Sequence, residues 1–211
     1  MKLSKGVKIT FFVVLLLVVD QIIKILVKTN MTIGESIHVF GDWFQIYFIE
    51  NNGMAFGMQL GGSIGKFLLS ILRVVLVVAI FFYIKKLLKK PETPTGVLFG
   101  LAAIMCGAFG NIIDSLFYGM IFSESTFTQV AQLFPPEGGY SSFLFGKVVD
   151  MFYFPIIDTT LPDWFPIWGG KDILFFRPIF NFADSCITCG AFYLGIFHWK
   201  YFSTPVSKEE K

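Results

Sequence analysis

Residues 9–27 form an almost unbroken apolar run. At about 1.5 Å of rise per residue, a helix there reaches nearly 30 Å, one hydrocarbon core. In lipid no water can satisfy a free peptide group, so such a run has to close its hydrogen bonds internally. Three more apolar runs follow, at about 67–84, 95–122 and 179–199. A cleaved signal peptide competes for the first run, but no small-residue cleavage site follows it and Asp20 and Lys24 lie inside it. The four runs predict an all-α membrane protein: four transmembrane helices with a small extracytoplasmic β-rich segment and an interfacial lid, in a single domain 1–211. Composition agrees. Charged residues are 15% and hydrophobic residues 55% of the chain, whereas a soluble domain carries roughly 25% charge. Disorder, a collagen-like fibre and a disulfide-stapled domain are excluded. A net charge of +2 leaves no nucleic-acid footprint.

Lys and Arg orient the spans. Lys2, Lys5 and Lys8, then Lys85, Lys86, Lys89 and Lys90, then Lys200, Lys208 and Lys211 lie on one side. The other side holds only Lys28, Lys66, Lys147, Lys171 and Arg177, in two longer segments. The split predicts cytoplasmic termini and extracytoplasmic segments 28–66 and 123–178. From Trp43 the first outer segment is aromatic and β-branched, as a strand on the membrane surface requires. The second is rich in Gly, Pro and aromatic residues, which suits an interfacial lid or sheet.

Ionisable groups within a span are costly and point to function. Helix rise puts Asp20 roughly 18 Å and Lys24 roughly 24 Å into the first span. Asn111 and Asp114 fall roughly 24–28 Å along the third, and Asn181 and Asp184 within about 8 Å of the outer surface. Arg73 on the second is roughly 10 Å down. All converge on the outer third of the bilayer. Asp20 and Lys24 are i,i+4, and Asn111/Asp114 and Asn181/Asp184 are i,i+3, so each pair shares a helix face. Gly107 and Gly110 permit close helix approach. Such groups either form a reactive centre or only bond one another to hold the bundle. Spacing alone does not single out Asp150.

Four segments then carry a resemblance. They are Asp20-Gln21 with Lys24, Asn51-Asn52-Gly53-Met54-Ala55-Phe56-Gly57, Gly107-Ala108-Phe109-Gly110-Asn111-Ile112-Ile113-Asp114 with Gly119 and Val149-Asp150, and Phe180-Asn181-Phe182-Ala183-Asp184. In this order among four spans, the sequence resembles lipoprotein signal peptidase (signal peptidase II), the intramembrane aspartyl protease of bacteria. The resemblance implies Asp150 and Asp184 as the catalytic aspartates. It implies Asp20, Asn51, Gly53, Gly107, Asn111, Asp114, Gly119, Asn181 and Ala183 as further motif positions, with Lys24 beside them. It also implies a bacterial cytoplasmic (inner) membrane location with the site toward the extracytoplasmic face. The expected substrate is a prolipoprotein cut before a diacylglyceryl-modified Cys. Membrane lipids and globomycin-like peptide antibiotics are expected partners, with no metal, no cofactor and a monomeric state.

Two features depart from the family pattern. Ser115 stands where an Arg usually follows the third-motif aspartate, so Arg73 or Lys24 is expected to supply the charge. The stretch between Gly119 and Asp150 is longer than usual. Other chemistries find little support. His38 and His198 are too few and too far apart for a zinc site, and Cys186 and Cys189 are read as small buried thiols within the fourth span. A small channel, transporter or assembly factor using its acids for ions is the rival class, and the absence of an inverted repeat counts against a transporter. An inactive binding member of the family is a third possibility.

Overall fold

The computed structural model describes residues 3–51 and 62–203. Helix α1 (Lys5–Asn30) starts where the Ser4 hydroxyl accepts the Val7 N–H at 3.3 Å, and ends as Met31 turns extended. Helix α2 spans Gly62–Leu88. Helix α3 (Thr95–Ile113) runs through a π-helical turn, Asp114–Tyr118, into the short α4 (Gly119–Ile121). Helices α5 (Phe182–Phe197) and α6 (Trp199–Ser203) close the described chain. Lys5–Asn30 and the continuous Thr95–Ile121 are long and apolar enough to cross a membrane, with mean hydropathies of 2.4 and 2.0. Ile64, Leu68, Leu72, Val75 and Phe82 of α2 are exposed, as are Phe11, Val18 and Ile22 of α1. Such apolar surface is costly in water and suits lipid.

Among the described residues there are six strands, five in segments 28–66 and 123–178 and the sixth at the start of the fourth apolar run. β1 (Ser36–Phe40), β2 (Phe44–Asn51), β3 (Val148–Tyr153) and β6 (Ile179–Phe180) form one sheet in the order β1-β2-β3-β6. All its pairings are antiparallel. β4 (Ile157–Thr160) and β5 (Asp172–Phe175) make a separate hairpin. The aromatic run expected to form a strand is β2. The β content exceeds the expectation: the sheet ties the first outer segment to the second and reaches the start of α5. Helix α5 accordingly begins at Phe182 and not at 179, because Ile179 and Phe180 pair with Tyr153 and Phe152.

Two apolar cores flank the polar centre. One gathers Ile9, Ile84, Leu87, Val97, Leu98, Leu101, Ala102 and Leu194, where the ends of four helices meet. The other joins Val27 and Met31 of α1 to Phe48, Val149 and Met151 of the sheet and to Tyr118, Phe122 and Ala131. The long stretch after α4 is docked on the π-turn. A π-turn displaces carbonyls from the regular ladder, and the Gly146 N–H donates to Ser115 O at 2.9 Å while Ser141 N–H donates to Gly119 O at 2.8 Å. Gly146 is required there, since a Cβ would strike the Asp114 carbonyl.

Candidate active site

Helix α1 carries Asp20 and Lys24 on the face turned to α3 and α5, both almost fully buried. Lys24 Nζ lies 3.0 Å from Asp20 Oδ2 and 2.9 Å from Asp114 Oδ2, and donates to Asn111 Oδ1 at 2.9 Å. A buried ammonium is tolerable only with such a complete set of partners. Of the two cations expected to serve Asp114, Lys24 touches it. Arg73 acts electrostatically on Asp184 first, then on Asp150 and then on Asp114. Ser115 is buried and donates to Asn111 O at 3.1 Å, one turn back.

Helix α5 brings the second half. Asn181 is its N-cap and forms a capping box with Asp184: Asn181 Oδ1 accepts the Asp184 N–H at 2.9 Å, and Asp184 Oδ2 accepts the Asn181 N–H at 3.4 Å. The box holds the Asp184 carboxylate at the helix N-terminus, where the macrodipole favours negative charge. The Asn181 amide also donates to Asp150 Oδ1 at 2.6 Å and to Asn111 Oδ1 at 3.0 Å. Asn111 in turn donates to Asp184 Oδ1 at 2.8 Å. The Ala183 N–H donates to Asp20 Oδ1 at 2.9 Å, so the start of α5 is tied to α1 as well. Close helix approach makes this possible: a Cβ on Gly107 would collide with the Ala183 carbonyl, and one on Gly110 would lie 2.6 Å from Asp20 Oδ2.

The sheet supplies the remaining carboxylate. Ile49 pairs with Asp150 and Asn51 with Val148, so Asn51 and Asp150 share one face, and Asn51 Nδ2 donates to Asp150 Oδ2 at 3.2 Å. The Val149 N–H donates to Asp114 Oδ2 at 3.3 Å, which pins β3 to the π-turn. Asp150 is 2% exposed. Burial, and after it the negative charge of Asp184, push its carboxyl up to about 7. The hydrogen bonds from Asn51 and Asn181 pull the other way.

Asp20, Lys24, Asn51, Gly107, Asn111, Asp114, Asp150, Asn181, Ala183 and Asp184 thus meet in one polar network. Gly119 lies at its edge, packed on Ser141 and Gly146. Gly53 lies outside the described residues, with the whole of the segment Asn52–Gly57. Sequence reasoning quotes Gln21 in the first motif but gives it no role; its amide donates to Asp20 at 3.0 Å and to Asp114 at 3.1 Å while its oxygen accepts from Tyr118. Glu50 escaped that reasoning, since it is buried by chain distant in sequence. Of the Cys pair read as buried, Cys186 is buried and Cys189 is exposed on the outer face of α5, because residues three apart on a helix are offset by about 60°.

The fold and this centre define a membrane protein whose carboxylates are gathered where an apolar helix bundle meets a small sheet. Comparisons with known proteins narrow that class. The family model for signal peptidase (SPase) II matches residues 12–200. A lipoprotein signal peptidase of Porphyromonas gingivalis is 52% identical over 90% of this chain and 81% of its own. One of Amoebophilus asiaticus is 35% identical over 93% of this chain and 79% of its own. In three dimensions a bacterial membrane enzyme solved by the in meso method is similar at a TM-score of 0.59 and 24% identity, covering 97% of this chain and 94% of the other. The chain belongs to the signal peptidase II family.

Proposed function

We propose that this protein is an aspartic endopeptidase that removes signal peptides from diacylglyceryl-modified prolipoproteins, cutting before the lipidated Cys with Asp150 and Asp184. The observation that carries the reading is the pairing of these carboxylates by asparagine amides from separate elements, with Asp150 raised to about 7 by burial and by Asp184. Two neighbouring carboxylates that share one proton provide a base and an acid at once. The ionised partner takes a proton from water as its oxygen adds to the scissile carbonyl carbon, and the protonated partner gives its proton to the carbonyl oxygen. As the diol collapses and the C–N bond breaks, one hydroxyl proton returns to the now ionised partner and the amine leaves with a proton from the other, which restores the shared-proton dyad. The pair titrates as a unit, so neither residue is assigned acid or base alone.

Asn51, Gly53, Gly107, Asn111, Asp114, Gly119, Asn181 and Ala183 bind substrate or support the site, and Lys24 with Asp20 holds its base. The apolar helices and the lysine distribution support one domain of four spans in the inner membrane. Both termini are then cytoplasmic and the site faces outward, within reach of a lipid-anchored substrate and of globomycin-like peptides.

The test is turnover of a lipidated peptide by the purified Asp150→Asn and Asp184→Asn proteins, beside their binding of it. Each single change should lower turnover by about 100- to 10,000-fold, with no multiplication in the double variant. Near-normal turnover in either would overturn the reading.

A further inference from the structure

Glu50 stands next to Asn51 in β2 and faces the other way, into the junction of α1, the sheet and the long stretch after α4. Its carboxylate pairs with Lys28 Nζ and accepts from the Ser125 hydroxyl at 2.9 Å. Lys28 also donates to Ser125 Oγ at 2.8 Å, and its ammonium lies 5.3 Å from the Phe122 ring centre and 5.0 Å from that of Tyr140. Lys147, just before β3, stands 3.4 Å from the other Glu50 oxygen. Lys28 and the Glu50 side chain are at most 2% exposed. The same stretch grips the end of α1 by backbone as well: Ala131 N–H donates to Lys28 O at 3.2 Å, and Ile33 N–H to Thr126 O at 2.9 Å.

None of these groups touches Asp150 or Asp184, so their role has to pass through the sheet. Glu50 pairs with Val149, and the residues that follow each of them, Asn51 and Asp150, lie on the opposite face and are bonded to each other. Glu50 and Asn51 are joined by one peptide unit with side chains on opposite faces, so displacing the Glu50 backbone displaces Asn51 as well. A buried carboxylate paired with an ammonium on α1 therefore fixes where Asn51 stands against Asp150. We infer that Glu50, clamped by Lys28 and Ser125, is a positioning residue that sets the Asn51–Asp150 hydrogen bond from the far side of β2. The inference rests on the proposed dyad.

The groups that face Asp150 from the packed elements are Asp184 of α5, Lys24 of α1, Arg73 of α2 and Asp114 beside β3. Glu50→Gln leaves all of them in place; loss of its own negative charge would by itself lower the midpoint, so an upward shift reports the Asn51 contact. With a lipidated peptide, Glu50→Gln is expected to lower kcat about tenfold with KM within twofold of the parent. A lost hydrogen bond to the ionised form should also move the pH midpoint of kcat upward. Combined with Asn51→Ala, it should cost nothing beyond Asn51→Ala itself. Ser125→Ala, which removes one bond to Glu50, gives the same shift at smaller size and serves if Glu50→Gln does not accumulate. An unchanged kcat and pH midpoint in Glu50→Gln or Ser125→Ala, or losses that multiply with Asn51→Ala, would overturn the inference. Asp150→Asn assayed in parallel separates the two ideas: an active Asp150→Asn removes the dyad, whereas an inactive one beside an unperturbed Glu50→Gln removes only the clamp.

Discussion

Lys24 and Lys28 lie one turn apart on the same helix, both wholly buried, yet they sit in opposite charge surroundings. Lys24 is shared by two carboxylates, Asp20 and Asp114, with Asp184 beyond Asn111. Lys28 has one carboxylate, Glu50, which a second cation, Lys147, also approaches. The first region is rich in acid, and Lys24 is the cation in contact with Asp20 and Asp114. The second is rich in base and has a reserve. A buried ion pair is therefore not one kind of object: what its loss costs depends on what remains to answer the partner left behind.

The sharpest way to break this comparison is Lys24→Met. It strands two buried carboxylates, and breaking a buried pair costs about 3–5 kcal/mol. Unfolding in detergent should show that loss together with loss of turnover, and a penalty below about 1 kcal/mol would mean Asp20 and Asp114 manage without the cation. Asp150→Asn tests the acid-rich region by pH. The Asp150 carboxyl is raised to about 7, so the native state holds that proton more tightly than the unfolded chain does. The stability this lends is complete below about pH 4 and disappears as pH rises through about 7. Against the parent, Asp150→Asn should gain stability over that window, by at most about 4 kcal/mol at ~1.4 kcal/mol per pH unit. A difference that is flat from pH 4 to 8 would contradict a buried, raised carboxyl.

Lys28→Met should cost less than Lys24→Met, about 2 kcal/mol, because Lys147 remains to face Glu50. Equal penalties at the two lysines would erase the distinction between the regions. Lys147→Met should be the mildest, under about 1 kcal/mol, since its side chain is 26% exposed and its pairs with Glu50 and Glu124 are both long at 3.4 Å. A larger penalty there would make Lys147, and not Lys28, the principal partner of Glu50.

The two regions were also unequally legible. Helical period and rise were enough to bring Asp20, Lys24, Asn111, Asp114, Asn181 and Asp184 together, because each pair is local and the lysine split predicts the direction of each helix. Asp150 lay on a strand, where spacing carries no depth, and only the resemblance singled it out. The clamp at Glu50 was invisible: its partners are 22, 75 and 97 residues away, and the last two belong to a stretch with no periodicity. Ser125 and Lys147 reach it only because the π-turn gives that stretch a place to dock. The start of α5 was read two or three residues early for a similar reason, since Ile179 and Phe180 are apolar enough for a span but are claimed by β3.

The capping box of α5 has a consequence for when the protein becomes dangerous. Asn181 closes the helix end and, with the same amide, holds Asp150; Asp184 receives that cap and is bonded to Asn111. The proposed pair is therefore complete only when α5 has wound its first turn against α1 and α3. During synthesis the strand bearing Asp150 emerges well before residue 184, and through that interval the proposed dyad has only one of its two carboxyls. On the proposed mechanism, initiation of α5 and assembly of the dyad are a single molecular event, so a half-made chain in the membrane would not cut its neighbours.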